Sequence, residues 1–257
     1  MEKRGISLTV EGINIVGELY LPEEGGKAIP ALCICHGIPS GKPADPTDGG
    51  YPLLAEKFCT AGFVTLIFNF RGTGASGGNF DIMGWVKDLE AAIDYLYSCP
   101  EVNSSRLCLM GFSGGAVVSA YVAAHDPRVS KVVLCACPTG FRDLADQEWW
   151  RPQIDHFRHI GIIRDKDFPP SADRWLKGFN HAAPLHWIDK IAPRPLLILQ
   201  GEEDDLVEVS QAWRLYEKAR EPKEIAIIKG GGHKLRLSQE AMDTALKWLK
   251  RGRVKLT

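Results

Sequence analysis

From about residue 30 to the end, short apolar, β-branched runs alternate with longer stretches of helical period, and few architectures accommodate that rhythm. The strand-length runs fall at 31–35, 64–69, 106–110, 131–136, 195–200 and 224–229. Between them, 51–61, 85–97, 116–125, 210–219 and 238–250 carry apolar residues near i, i+3 and i+4. Strands of this kind, each followed by a helix, predict a mostly parallel sheet with helices on both faces. In the second helical stretch Trp85, Leu89, Ile93 and Leu96 form one stripe, the expected sheet-facing side. Ahead of the series, 6–10 and 13–21 flank Glu11-Gly12, which predicts an antiparallel hairpin at one sheet edge.

The alternation breaks once. Residues 138–192 offer no strand, yet hold four of the seven tryptophans (Trp149, Trp150, Trp175, Trp187) with Phe141, Phe157, Phe168 and Phe179. So long and aromatic a stretch reads as a helical cap inserted into a core made of 1–137 and 193–257. Its eight basic and eight acidic residues give no net attraction for a polyanion, and its rings, with Trp149, Trp150, Trp175 and Phe179 as the candidates, suggest an apolar substrate pocket.

Composition narrows the class. With 31 Lys plus Arg against 32 Asp plus Glu and 45% hydrophobic residues, the chain is an ordinary globular one without the basic excess that nucleic acid demands. The amino terminus lacks the apolar run and small-residue site of an export signal, and no apolar stretch approaches the roughly 20 residues that span a bilayer, so a cytoplasmic protein with no membrane partner is expected. Seven cysteines, an odd number, fit reduced thiols in that setting. Cys33/Cys35 and Cys135/Cys137 lie in strand-like runs where i and i+2 share a face; lacking the turn geometry of a zinc knuckle, they are expected as buried thiols, with no metal.

G-x-S-x-G occurs twice, around Ser76 and around Ser113. A nucleophilic serine needs a sharp turn running straight from a strand into a helix, so that its hydroxyl stands clear at the helix N-terminus. Only Ser113 has that context, because a strand ends directly before Gly111 and a helical run begins at Ala116. Ser76 reads as part of a glycine-rich loop.

A serine also needs a base with an acid behind it. Strand C-terminal ends supply both: Gly201-Glu202-Glu203-Asp204-Asp205 after one strand and Gly230-Gly231-Gly232-His233 after the next. His233 is the base candidate, Asp204 the acid candidate and Asp205 its rival. Oxyanion donors are expected from the N–H groups of Gly114, which follows the nucleophile, and Ile38, since Pro39 beside it has none. His36, at the strand terminus, is read as orienting that loop rather than as a second base.

In order, HGIPSG, FNFRGTGASGG, GFSGGA, GEEDDLV and GGGH make residues 31–250 resemble the α/β-hydrolase superfamily, and the RGTGASGG loop with the helix after it is similar to small cytosolic cinnamoyl or feruloyl esterases and acyl-peptidase-like hydrolases. The resemblance implies an eight-stranded α/β-hydrolase fold with a helical cap, Ser113 as nucleophile, Asp204 as acid and His233 as base. Ile38 stands where that family often has an aromatic residue, and Phe112 where many relatives have histidine or glutamate. The implied chemistry is ester hydrolysis through an acyl-enzyme on a small-molecule substrate, without a cofactor; no Walker A or dinucleotide fingerprint is present. Amidase, aminopeptidase or thioesterase chemistry on the same triad, or a ligand receptor without turnover, are the alternatives. The sequence is compatible with a homodimer but does not fix the oligomeric state.

Overall fold

The computed structural model describes residues 1–23, 28–41, 48–141 and 147–251, and of residues 147–149 the backbone only. The hairpin of β1 (Glu2–Val10) and β2 (Ile13–Leu21) turns through Glu11 and Gly12, both at positive φ, 51° and 78°. That is the handedness a two-residue turn needs to match the strand twist.

The hairpin opens an eight-stranded sheet in the order β1-β2-β4-β3-β5-β6-β7-β8. β1, β2 and β4 (Val64–Phe68) pair antiparallel, and every pairing from β4 onward is parallel, through β3 (Ile29–Cys35), β5 (Val102–Phe112), β6 (Val129–Cys135), β7 (Leu196–Gly201) and β8 (Lys223–Ile228).

The two faces have separate cores. One is covered by α1 (Gly50–Thr60) and α7 (Gln239–Lys250), through Leu54, Phe58, Met242 and Trp248. The other is covered by α2 (Ile82–Ser98), α3 (Gly114–His125) and α6 (Val209–Lys218). Trp85, Leu89, Ile93 and Leu96 of α2 are all fully buried there, as their spacing predicts. Burying a side chain of that size contributes about 1.5–3 kcal/mol.

Neighbouring strands β3 and β5 send their helices to opposite faces, α1 to one and α3 to the other. Such a reversal opens a crevice at the C-terminal ends of the two strands, where open α/β sheets bind ligands. Between β6 and β7 the described residues form no strand. They form α4 (Gln147–His159), α5 (Ala172–Ala182) and two short 3-10 turns.

All seven cysteines are buried and free. Cys33 and Cys35 share a face, but Cys135 and Cys137 fall into different cores, contrary to the strand-like reading. β6 ends at Cys135, and Ala136 at φ 49° turns the chain, so the period-2 rule stops one residue before Cys137.

Candidate active site

Ser113 sits between the last residue of β5 and the first of α3, at φ 51° and ψ −118°. A positive φ is costly for a residue with a side chain and persists only where the surroundings impose it. Here the Ser113 N–H donates to the Cys135 carbonyl (2.9 Å), and its own carbonyl accepts from the N–H groups of Ala116 (2.9 Å) and Val117 (3.2 Å). The flanking glycines are required by space. A Cβ on Gly111 would lie 2.5 Å from Ala116 Cα, and one on Gly115 would lie 2.4 Å from the Cys35 and His36 carbonyl oxygens. The sharp turn leaves the half-buried Ser113 side chain at the N-terminus of α3.

The acid and base loops follow β7 and β8. Asp204 is buried: one carboxylate oxygen accepts from the N–H groups of Leu206 (3.0 Å) and Val207 (2.9 Å), the other from Gln200 Nε2 (2.9 Å). Both oxygens lie 3.0 Å from His233 Nδ1. A carboxylate only accepts, so Nδ1 carries the proton and Nε2 is left as the basic nitrogen. Asp205, the other acid candidate, is exposed, and it is Asp204 that lies against His233. The loops are laced together by the Glu203 N–H donating to the Gly231 carbonyl (2.9 Å), and a Cβ on Gly201 would stand 2.2 Å from that same oxygen. Sequence reasoning misses Gln200. Its signal is a polar residue next to the end of an otherwise apolar, buried strand.

Across the crevice, His36-Gly37-Ile38 leaves β3. A Cβ on Gly37 would come 3.0 Å from Ser113 Cβ, and one on Gly114 would come 3.4 Å from the Ile38 nitrogen, so the Ile38 and Gly114 backbones lie side by side next to Ser113. The N–H groups in the first turn of a helix have no partner within it, and Gly114 is in that turn. His36 is held on both ring nitrogens: Nδ1–H donates to the Gly37 carbonyl (2.7 Å), and Nε2 accepts the Phe70 N–H (3.2 Å). Burial pushes its pKa down, so the neutral ring orients the loop, as its position at the strand terminus predicts. The Gly37 N–H donates to Tyr51 Oη (3.3 Å), a phenol whose pKa burial raises to about 12. Beside this loop lies a 610 Å³ cavity lined by Ile34, His36, Tyr51, Ile67 and Phe68 among others.

Residues 53–252 match the model of the prolyl oligopeptidase family. The chain belongs to that family. PA2218 of Pseudomonas aeruginosa is 28% identical, over 86% of this chain and 72% of its own length. The polyketide transferase ATR5 of Stachybotrys chlorohalonatus is 24% identical over 88% and 87%. Among solved structures, the α/β hydrolase GrgF from Penicillium superposes with a TM-score of 0.75 at 22% identity, covering 98% and 99% of the two chains. Est1E from Butyrivibrio proteoclasticus does so with a TM-score of 0.67 at 16% identity, over 96% of each. The fold is the α/β-hydrolase fold, and the protein is a serine hydrolase.

In this prolyl oligopeptidase-family hydrolase the other G-x-S-x-G serine has a different place. Ser76 is fully buried, its hydroxyl donating to the Asn69 carbonyl (2.5 Å) and accepting the Val16 N–H (2.9 Å). Of the aromatic residues expected to wall a pocket, Trp150, Trp175 and Phe179 are buried against one another, and Trp175 and Phe179 also against Phe80. The Trp175 Nε1–H donates to the Phe80 carbonyl (2.9 Å). These contacts anchor the segment on the core, the use an aromatic cluster finds when its rings meet each other before they meet a ligand. The Trp149 side chain lies outside the described residues. Among the described residues no group of three or more His, Cys, Asp or Glu could hold a metal ion, and no helix is long and apolar enough to cross a membrane.

Proposed function

We propose that this serine hydrolase cleaves carboxylic esters through an acyl-enzyme on Ser113. The observation that carries the reading is His233 Nδ1 held by both oxygens of buried Asp204, which leaves Nε2 as the basic nitrogen on a loop that, like the Ser113 turn, follows the C-terminal end of a parallel strand of the one sheet. In the first stage His233 Nε2 takes the Ser113 proton as Oγ attacks the ester carbonyl, and Asp204 stabilises the imidazolium. The Ile38 and Gly114 N–H groups bind the oxyanion. His233 then protonates the departing alcohol, and water repeats the attack on the acyl-enzyme. The reading calls for no cofactor and a small substrate in the cytoplasm.

The family's name favours peptide cleavage as the second reading. A panel of p-nitrophenyl esters of increasing acyl length, aminoacyl p-nitroanilides and acyl thioesters separates the two. Esters are expected to have the highest kcat/KM. Anilides exceeding every ester would give the peptidase reading, and turnover of none would favour a receptor.

A further inference from the structure

We propose that Arg164 is a positioning residue that sets the oxyanion loop from the segment between β6 and β7, an inference that rests on the assignment of Ser113, Ile38 and Gly114 above. Its guanidinium donates to three carbonyls of one glycine-rich loop, those of Ser76 (2.7 Å), Gly74 (3.1 Å) and Gly72 (3.3 Å). Three carbonyl dipoles aimed at one point repel each other, and a planar cation with several fixed donors removes that repulsion while holding their geometry. The backbone around Arg164 is seated on the same loop. Asn79 Oδ1 accepts the N–H groups of Arg164 (2.7 Å) and Asp165 (2.9 Å), and the Phe80 N–H donates to the Ile162 carbonyl (2.8 Å). The approach is so close that a Cβ on Gly72, at φ 80°, would stand 2.4 Å from the Ile162 oxygen.

The other side of that loop grips the oxyanion loop. The Phe70 N–H donates to His36 Nε2 (3.2 Å), and the Thr73 hydroxyl stands 3.1 Å from the same nitrogen. His36 passes the constraint on through Nδ1–H to the Gly37 carbonyl (2.7 Å), and Gly37 lies directly against Ser113. Arg164, itself on the surface, is thus two residue contacts from the strand end that carries the Ile38 N–H. Oxyanion donors act only when aimed at the transition state, so loosening this support lowers kcat more than it weakens substrate binding.

The test compares wild type, Arg164→Ala and Arg164→Lys on p-nitrophenyl acetate, a substrate too small to depend on contacts beyond the reacting centre, with thermal melting measured in parallel. Loss of a whole oxyanion donor costs about 10²–10³ in kcat, and a displaced one less. Arg164→Ala is expected to lose roughly tenfold in kcat with KM within about twofold, to regain part of that loss on adding methylguanidinium, and still to accept a fluorophosphonate on Ser113. Arg164→Lys, which keeps the charge without the fork, is expected to fall between. A kcat within twofold of wild type, or a loss that follows lowered melting temperature and does not respond to methylguanidinium, would overturn the proposal and leave the assignment of Ser113 standing. Wild-type protein inert to both ester and fluorophosphonate would overturn the assignment and the proposal with it.

Discussion

Residues 74–78 and 111–115 share the pattern G-x-S-x-G and hold their serines in opposite states. Around Ser76 the backbone coils through Gly74 and Gly78 at φ 48° and 74°, and the hydroxyl spends both its hydrogen-bonding capacities on Asn69 and Val16. Around Ser113 the strain falls on the serine itself, at φ 51°, and its hydroxyl is left at the mouth of a helix. Glycine serves different ends in the two places. In the first it supplies positive φ to a loop whose carbonyls face Arg164; in the second it supplies missing volume where backbone meets backbone. A five-residue pattern is therefore no guide to chemistry until the elements on either side of it are known.

The comparison is broken most directly by removing each hydroxyl. Ser113→Ala is expected to lower kcat on p-nitrophenyl esters by roughly 10⁵–10⁶, while Ser76→Ala keeps it within about threefold. Ser76→Ala should instead cost about 1 kcal/mol in urea unfolding, because the partly buried Val16 N–H and Asn69 carbonyl groups lose a partner. Equal losses of activity from the two variants would erase the distinction.

The glycines come next. Gly115→Ala drives a methyl into two backbone oxygens that have nowhere to go, and about 3 kcal/mol of stability should be lost. Gly77→Ala meets its nearest atoms at 3.5 Å or more and is expected within about 0.5 kcal/mol of wild type by the same unfolding assay.

His36, the joint between the glycine-rich loop and the oxyanion loop, gives the smallest effect. Burial holds its folded pKa below the value of about 6.5 that the unfolded chain has. Between those values the unfolded chain binds the extra proton, so its contribution to stability is complete above about pH 6.5 and declines as pH falls below it. His36→Gln keeps an acceptor toward the Phe70 N–H and cannot titrate. Its melting temperature should fall less than that of wild type between pH 7 and pH 5, and parallel curves would contradict the account.

The sheet was legible from the sequence because its signal is local: apolar strand runs, the α2 stripe and the hairpin turn each lie within about ten consecutive residues. The places of Ser113 and His233 in the chain are legible for a related reason: Ser113 directly follows β5, and a short glycine run separates His233 from β8. For the acid candidate, Asp204 with Asp205 as its rival, spacing alone does not separate the two; the peptide groups of Leu206 and Val207 with Gln200 hold the Asp204 carboxylate inward. Tyr51 beneath Gly37, and Arg164 over the glycine loop, make contacts spanning 14 and 88 residues of chain, which no periodicity reports. For the aromatic segment, composition counts rings without saying what they touch: Trp175 packs on Phe80, Trp150 on Trp175 and Phe179, and Trp187 on Tyr121 and His125.

One measurement reaches the centre of the account: reaction of the folded wild-type protein with a fluorophosphonate at neutral pH, followed by peptide mapping of the adduct. A single modified residue, Ser113, with labelling abolished in Ser113→Ala, is the predicted result. An adduct on Ser76 or on any other serine, or labelling that persists in Ser113→Ala, would contradict it.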